Sequence, residues 1–230
     1  MTSQTISSSE ANRLYWLGRY AERAYLSLHM LRKCCDQSID GDQSSFALYD
    51  RAMGIDPKDD AGKAHLSILY DRHDPASLIS SLQCAKDNAI VLRSYISSEA
   101  LSYIEMAMVR IEEAAKAGET NITTLQAVTD NLMSFWGSLT ERVTLDKVSI
   151  LLVVGRMLEY TDMHIRFMYP FARIDKAYKR LISTAENIDG LVDYNIKGQL
   201  DRMLTGKAYD IDNDEYRFKA LKFIGQLVRI

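Results

Sequence analysis

Apolar residues recur along the chain at steps of three and four, and the clearest run lies between Leu14 and Cys35. There Leu14, Leu17, Ala21, Ala24, Leu28, Leu31 and Cys35 fall on one face of a helix, the seam of an element packed lengthwise on another. The opposite face is not a solvated one, since it carries Tyr15, Trp16, Leu26 and Met30, and a helix apolar on all sides is an interior helix. Arg19, Glu22 and Arg23 share that outer face. Ionised groups among aromatic and aliphatic side chains must find opposite charges or hydrogen bonds. The pattern therefore predicts a polar site inside a helical body.

The same spacing predicts the remaining elements. The first helix is expected to start after Ser8 or Ser9 and to fray near Ser38 to Gly41. Short helices are expected over Ser44 to Met53, stopped by Gly54, and over Asp60 to Tyr70, with Asp56-Pro57 as a turn or helix start between them. These pieces read as a cap over the bundle. Asp74-Pro75 reads as a helix start, Asp as N-cap and Pro at the first helical position. The long helix that follows has Leu78, Leu82, Ala85, Ala89, Leu92 and Ile96 as its seam and turns Asn88 and Arg93 toward the same interior polar zone. Ser97 or Ser98 caps the next helix, with Leu101, Ile104, Met108, Ile111 and Ala115 buried and Gly118 as its stop. Thr123 or Thr124 opens a helix through Leu125, Val128, Leu132, Phe135 and Leu139, and Thr144 caps another that Pro170 ends. Phe171 to Asn187 buries Ile174, Ala177, Tyr178, Leu181 and Ile182 and presents Arg173, Lys176 and Arg180 as a solvated stripe. Asp193 to Leu204 and Asp214 to Val228 are the last helices.

The first pattern returns in the second half of the chain. Leu14, Leu17, Gly18, Arg19, Ala21, Glu22 and Leu28 correspond in register to Leu151, Val154, Gly155, Arg156, Leu158, Glu159 and Ile165, so that G-R-x-x-E occurs twice on matching faces. Tyr160 stands where Arg23 has its counterpart. The repeat predicts two long helices related by a pseudo-twofold axis. Their glycines would allow close backbone approach, and reciprocal pairs, Glu22 with Arg156 and Glu159 with Arg19, would form where they cross.

Composition narrows the class. The 230 residues contain only three prolines, no linker rich in Pro, Gly or Ser, and abundant helix formers, which predicts a single all-α domain, a bundle of long antiparallel helices with short capping helices. The net charge of -3 and the dispersed basic residues argue against a nucleic-acid surface. The three cysteines, two of them adjacent, suit reduced thiols in a cytoplasmic protein, and neither a signal-like leader nor a membrane-length apolar run is present in the sequence.

Most chemical readings fail on spacing. Asp210-x-Asp212-x-Asp214 opens like a calcium loop, but Glu215 stands at the turn that needs Gly and Leu221 at the place of the bidentate Glu, so the run reads as a helix N-cap. No Glu is followed by His at the spacing of a carboxylate di-metal site, and His29, His65, His73 and His164 do not pair at one-turn spacing, so no metal site is expected. No Gly-rich strand-to-helix loop signals nucleotide binding. The Arg/Glu cluster remains. It reads either as ion pairs that fix the helix crossing or as a site with a guanidinium left to grip a carboxylate, amide or phosphate. A catalytic version would use Glu22 or Glu159 as general acid or base, although the cations beside them favour ionised carboxylates.

These residues also carry a resemblance. Tyr15-Trp16-Leu17-Gly18-Arg19-Tyr20-Ala21-Glu22-Arg23-Ala24 resembles the signature of the alpha-E family, all-helical bacterial proteins named for a Glu-Arg motif, and Val153-Val154-Gly155-Arg156-Met157-Leu158-Glu159 resembles its second Gly-Arg segment. Asp87-Asn88-Ala89, Arg93 and Ser98-Glu99 resemble an inner motif of the family, with Asp87 in place of Glu, Ile90 in place of Arg and Leu101 in place of Trp. The likeness covers roughly residues 10 to 170 and leaves 171 to 230 unassigned. It implies an accessory role beside a circularly permuted ATP-grasp protein, in a system that makes or modifies peptides through amide bonds. ATP and Mg would then belong to that partner, with no cofactor bound by this chain. A peptide or amino-acid substrate would meet Arg19, Glu22, Arg23, Asn88, Arg93, Arg156 and Glu159, and neither a membrane nor a nucleic acid is implied. A stand-alone enzyme acting on an amide or amino-acyl group, and a scaffold whose charges only hold helices together, stay open, as does a homo-oligomer.

Overall fold

The structure is a computed structural model that describes residues 6–42, 44–55, 61–118, 122–140 and 147–230. Among them it forms eleven helices. In chain order these are α1 (Ser8–Ile39), α2 (Ser45–Met53), α3 (Ala61–Tyr70), α4 (Leu78–Val91), α5 (Arg93–Ile96), α6 (Ser98–Ala117), α7 (Ile122–Thr140), α8 (Lys147–Arg166), α9 (Phe171–Ala185), α10 (Tyr194–Met203) and α11 (Asp214–Gln226). The protein is all-α, a helical bundle as the periodicity predicts. The expected roles of Asp56-Pro57, Asp60 and Thr144 lie outside the described residues.

The chain divides into two compact units, one comprising Met1–Arg19 and Thr144–Ile230, the other Tyr20–Val143. In the second unit α6 and α7 pack along each other, α4 lies on α6, and α3 on α4. Their core holds Leu82, Ile104, Met108, Ile111, Leu125, Val128, Leu132 and Phe135, all at 1% exposure or less. The stripe of α7 is buried as its spacing predicts. That of α6 is rotated slightly: Ala100, Ala107 and Ala114 are buried, while Leu101 and Ala115 are half-buried.

Local chemistry sets the helix ends. A reciprocal box opens α1: the Ser7 N–H and hydroxyl donate to Glu10 Oε2 at 2.9 and 2.7 Å, and the Glu10 N–H donates to Ser7 Oγ at 3.2 Å. This start precedes the one expected after Ser8 or Ser9. Asp74-Pro75 does not open α4, because Asp74 closes a turn by accepting from the Ala76 N–H at 2.8 Å. The cap is Ser77, which accepts from the Ser80 N–H and donates to the Asp71 carbonyl. Nor does α4 run on to Ile96. Leu92 at φ -91°, ψ 9° leaves the helical ladder, and the bend keeps Leu92 and Ile96 in the core while turning Arg93 outward. Ser97 caps α6, and Gly118 ends it in the left-handed conformation. The buried thiol near the end of α1 is Cys34, with Cys35 only half-buried, which corrects the expected seam.

In the first unit α8 packs against α9 and α11, and α10 against α11. The last quarter supplies Leu200, Ala220, Ile224 and Leu227 to this core, each fully buried. Asp193 caps α10 by accepting from the Asn195 and Ile196 N–H groups, and Asn213, rather than the aspartates beside it, caps α11 by accepting from Tyr216 N–H. A Val192–Val228 bridge, with the Arg229 guanidinium on Asp193 at 2.6 and 3.0 Å, ties down the final residues.

Candidate functional site

Two glycines bring the first turns of α1 against α8. A Cβ on Gly18 would lie 2.2 Å from the Leu152 carbonyl oxygen, and one on Gly155 would lie 2.0 Å from that of Tyr15. Each glycine thus rests on the backbone of the other helix, and no larger residue fits without moving it. The approach that the repeated Gly-Arg pattern suggests is present at these residues.

The close crossing places Arg19 beside Glu159. Arg19 Nε donates to Glu159 Oε2 at 2.8 Å, with Arg19 at 8% exposure and Glu159 at 1%. Arg19 Nη1 reaches Tyr15 Oη at 3.5 Å, and the guanidinium lies over the Trp16 ring at 4.9 Å from its centroid. Burial works to lower the pKa of Arg19, but Glu159 and Tyr15 outweigh it and hold the guanidinium above its ordinary value. One turn along α8, the nearly buried Asp162 has its pKa raised, chiefly by burial and further by Glu159, against the opposing pull of Arg166 to which it is bonded. Burial likewise raises the Tyr15 hydroxyl. The cluster is therefore a fixed cation, a carboxylate locked onto it, and a second carboxyl inclined to hold its proton.

Of the residues singled out by sequence, the structure brings Arg19 and Glu159 into direct contact. Arg156 is half-buried on α8. Glu22, at 2% exposure, and the half-buried Arg23, 6.0 Å from the Tyr20 ring centroid, lie on the part of α1 that belongs to the second unit. Asn88 is half-buried on α4, whereas Arg93 is exposed on α5, contrary to its expected inward position.

One residue of the cluster, Asp162, was missed. Asp162 is an acid three positions beyond Glu159, on the same side of the helix, a signal that the repeat itself obscured because Tyr25, its counterpart in the first copy, is not acidic. His164 is buried between the rings of Tyr160 and Tyr169, with centroids 3.9 and 4.4 Å away. Its Nδ1 bonds to the Tyr160 carbonyl at 2.7 Å and its Nε2 accepts from Arg173 Nε at 3.2 Å, so Arg173 is committed here although exposed. That arrangement describes a neutral imidazole built into the packing. Among the described residues no group of three or more His, Cys, Asp or Glu could hold a metal ion. No described helix is long and apolar enough to cross a membrane.

No curated protein and no solved structure matches the chain. A family model does, over residues 6–200, and it is described as a predicted alpha-helical domain with a conserved ER motif. With that match spanning most of the chain, and with the arginine of one motif helix bonded to the glutamate of the other at Arg19 and Glu159, the protein belongs to the Alpha-E family.

Proposed function

We propose that this chain is the helical partner, or substrate-holding subunit, of an ATP-grasp-linked system that forms or modifies amide bonds, with the Arg19 cluster as its contact or pocket. Family membership supplies the context, through the association with circularly permuted ATP-grasp proteins that the resemblance implies. The observation that carries the reading is the state of Arg19. Its fork has five N–H donors; one goes to Glu159 and one to Tyr15, and the others have no partner among the described residues. A guanidinium aligned on a rigid crossing with donors to spare suits a planar carboxylate or amide. Glu159, bonded to that cation, is better fitted to orient Arg19 than to donate a proton.

The test is co-purification of the tagged chain with a circularly permuted ATP-grasp protein expressed beside it. Recovery of the complex, with loss of amide product for Arg19→Lys and Glu22→Gln variants that melt like the wild type, supports the reading. Turnover of an amide or amino-acyl substrate by the purified chain alone overturns it. Asp162 favours that second reading, because a carboxyl with a raised pKa is what a general acid requires. An enzyme using it would lose one limb of its pH–rate profile in Asp162→Asn.

A further inference from the structure

The second unit contains a cleft that the Arg19 cluster does not involve. It lies between the Tyr25–Asp36 face of α1 and the Gln126–Met133 face of α7, with a volume of about 450 Å³. Sites for small ligands fall in this range, on the order of 300–1,000 Å³. Its chemistry differs from that of a groove between α9 and α10 (about 540 Å³), where Lys179 is paired with Asp175 and Lys197 with Asp201, and Tyr178 also donates to Asp201. In the α1/α7 cleft the central charges are not spent on each other. Arg32 and Asp36, one turn apart, make no ion pair or hydrogen bond among the described residues. Arginine N-terminal to an acid at this spacing is the weaker orientation for a helical pair.

From this arrangement we infer that the cleft binds the carboxylate of an amino acid or short peptide, with the ligand's ammonium turned toward Asp36. Arg32 supplies the two-toothed donor for the carboxylate. The His29 ring, stacked on Tyr25 with centroids 6.0 Å apart, forms a flat wall, and the exposed Met133 gives an apolar surface for the ligand's body. The Thr129 hydroxyl adds a donor or acceptor on the α7 side. Charge selects the ligand class. Arg32 and Asp36 have opposite signs, so a phosphate dianion, which has no cation to offer Asp36, is repelled by it, whereas a ligand with both a carboxylate and an ammonium is not. A zwitterion satisfies Arg32 and Asp36 at once.

This inference does not rest on the ATP-grasp reading, since its test uses the isolated chain and reads binding alone. The probes are the dipeptide Glu-Glu, its N-acetylated form, free glutamate and inorganic phosphate, titrated by calorimetry or by amide chemical shifts. Saturable binding of Glu-Glu or of free glutamate is expected, with shifts confined to residues of α1 and α7, and the tighter of the two identifies a peptide or an amino acid as the source of the carboxylate. Arg32→Gln should weaken it tenfold or more, about 1.4 kcal/mol. Asp36→Asn should abolish the preference for the free amine over the N-acetylated peptide. Both positions are exposed, so circular dichroism and melting temperature should match those of the wild type. Four results overturn the inference: no saturation by either ligand at about 10 mM, shifts elsewhere in the chain, equal binding to folded Arg32→Gln, or tighter binding of phosphate than of Glu-Glu.

Discussion

Removing either member of the Arg19–Glu159 couple strands the other in a dry environment, and the two variants of Glu159 separate charge from shape. Glu159→Ala leaves a buried guanidinium without its counter-charge and should lower the unfolding free energy by about 3–5 kcal/mol in urea titrations. Glu159→Gln keeps an acceptor for Arg19 Nε and should cost less. The exposed Arg110–Glu113 pair is the control, where Arg110→Ala should change stability by less than about 1 kcal/mol. A Glu159→Ala variant as stable as that control would show that the pair does not hold the crossing. At this scale the charged residues on a helix apolar all round were legible in sequence, because a buried charge is incompatible with hydrocarbon neighbours unless paired. Arg93 was not: its place depends on the bend at Leu92, and nothing in the local periodicity marks that bend.

Among the elements, the contact of α1 with α8 depends on the absence of two Cβ atoms. Gly18→Ala would place a methyl 2.2 Å from a backbone oxygen and should destabilise the protein by about 1–3 kcal/mol, despite the better helix propensity of Ala. Gly198 sits inside α10 with open space around the position a methyl group would take, so Gly198→Ala should stabilise by about 0.5–1 kcal/mol. Thermal melts of the two variants should move in opposite directions. The start of α6 offers a second check. Ser97 holds φ 82°, which favours glycine, while its hydroxyl caps the helix by accepting from the Ala100 N–H. Ser97→Ala keeps the strained backbone and loses the cap, and should cost about 1–2 kcal/mol; Ser97→Gly should cost less. Caps and stops of this kind were readable where side chain and turn lie within a few residues, as at Gly54, Ser97 and Gly118. Asp74-Pro75 misled because Ser77, three residues on, competes for the same role and is itself anchored to the Asp71 carbonyl.

For the molecule as a whole, two aspartates in the first unit shape acid stability in opposite senses. Asp162 has its pKa raised by burial, so the native state holds its proton more tightly than the unfolded chain, and stability falls as pH rises from the ordinary value of 3.8 through the raised one. Asp193 is lowered by its hydrogen bonds, Arg229 first, so its contribution is complete above 3.8 and is lost as pH falls through the lowered value. Asp162→Asn should flatten the upper part of the stability–pH curve and leave the lower part unchanged, and Arg229→Ala should do the reverse. Chemical denaturation at a series of pH values separates them. An unaltered upper limb in Asp162→Asn would remove Asp162 from the acid–base role offered by the second functional reading.

The sequence by itself determined the helical class, most helix ends, the Gly-Arg-x-x-Glu pattern on both motif helices and the family, because each rests on spacing within one helix or one motif. Tertiary structure decided which charges meet, that Asp162 joins them, that His164 is spent on packing, and that Arg32 and Asp36 face a cleft unpaired. Those outcomes depend on side chains far apart in the chain sharing one desolvated or concave place, and no periodicity encodes the distance between two helices.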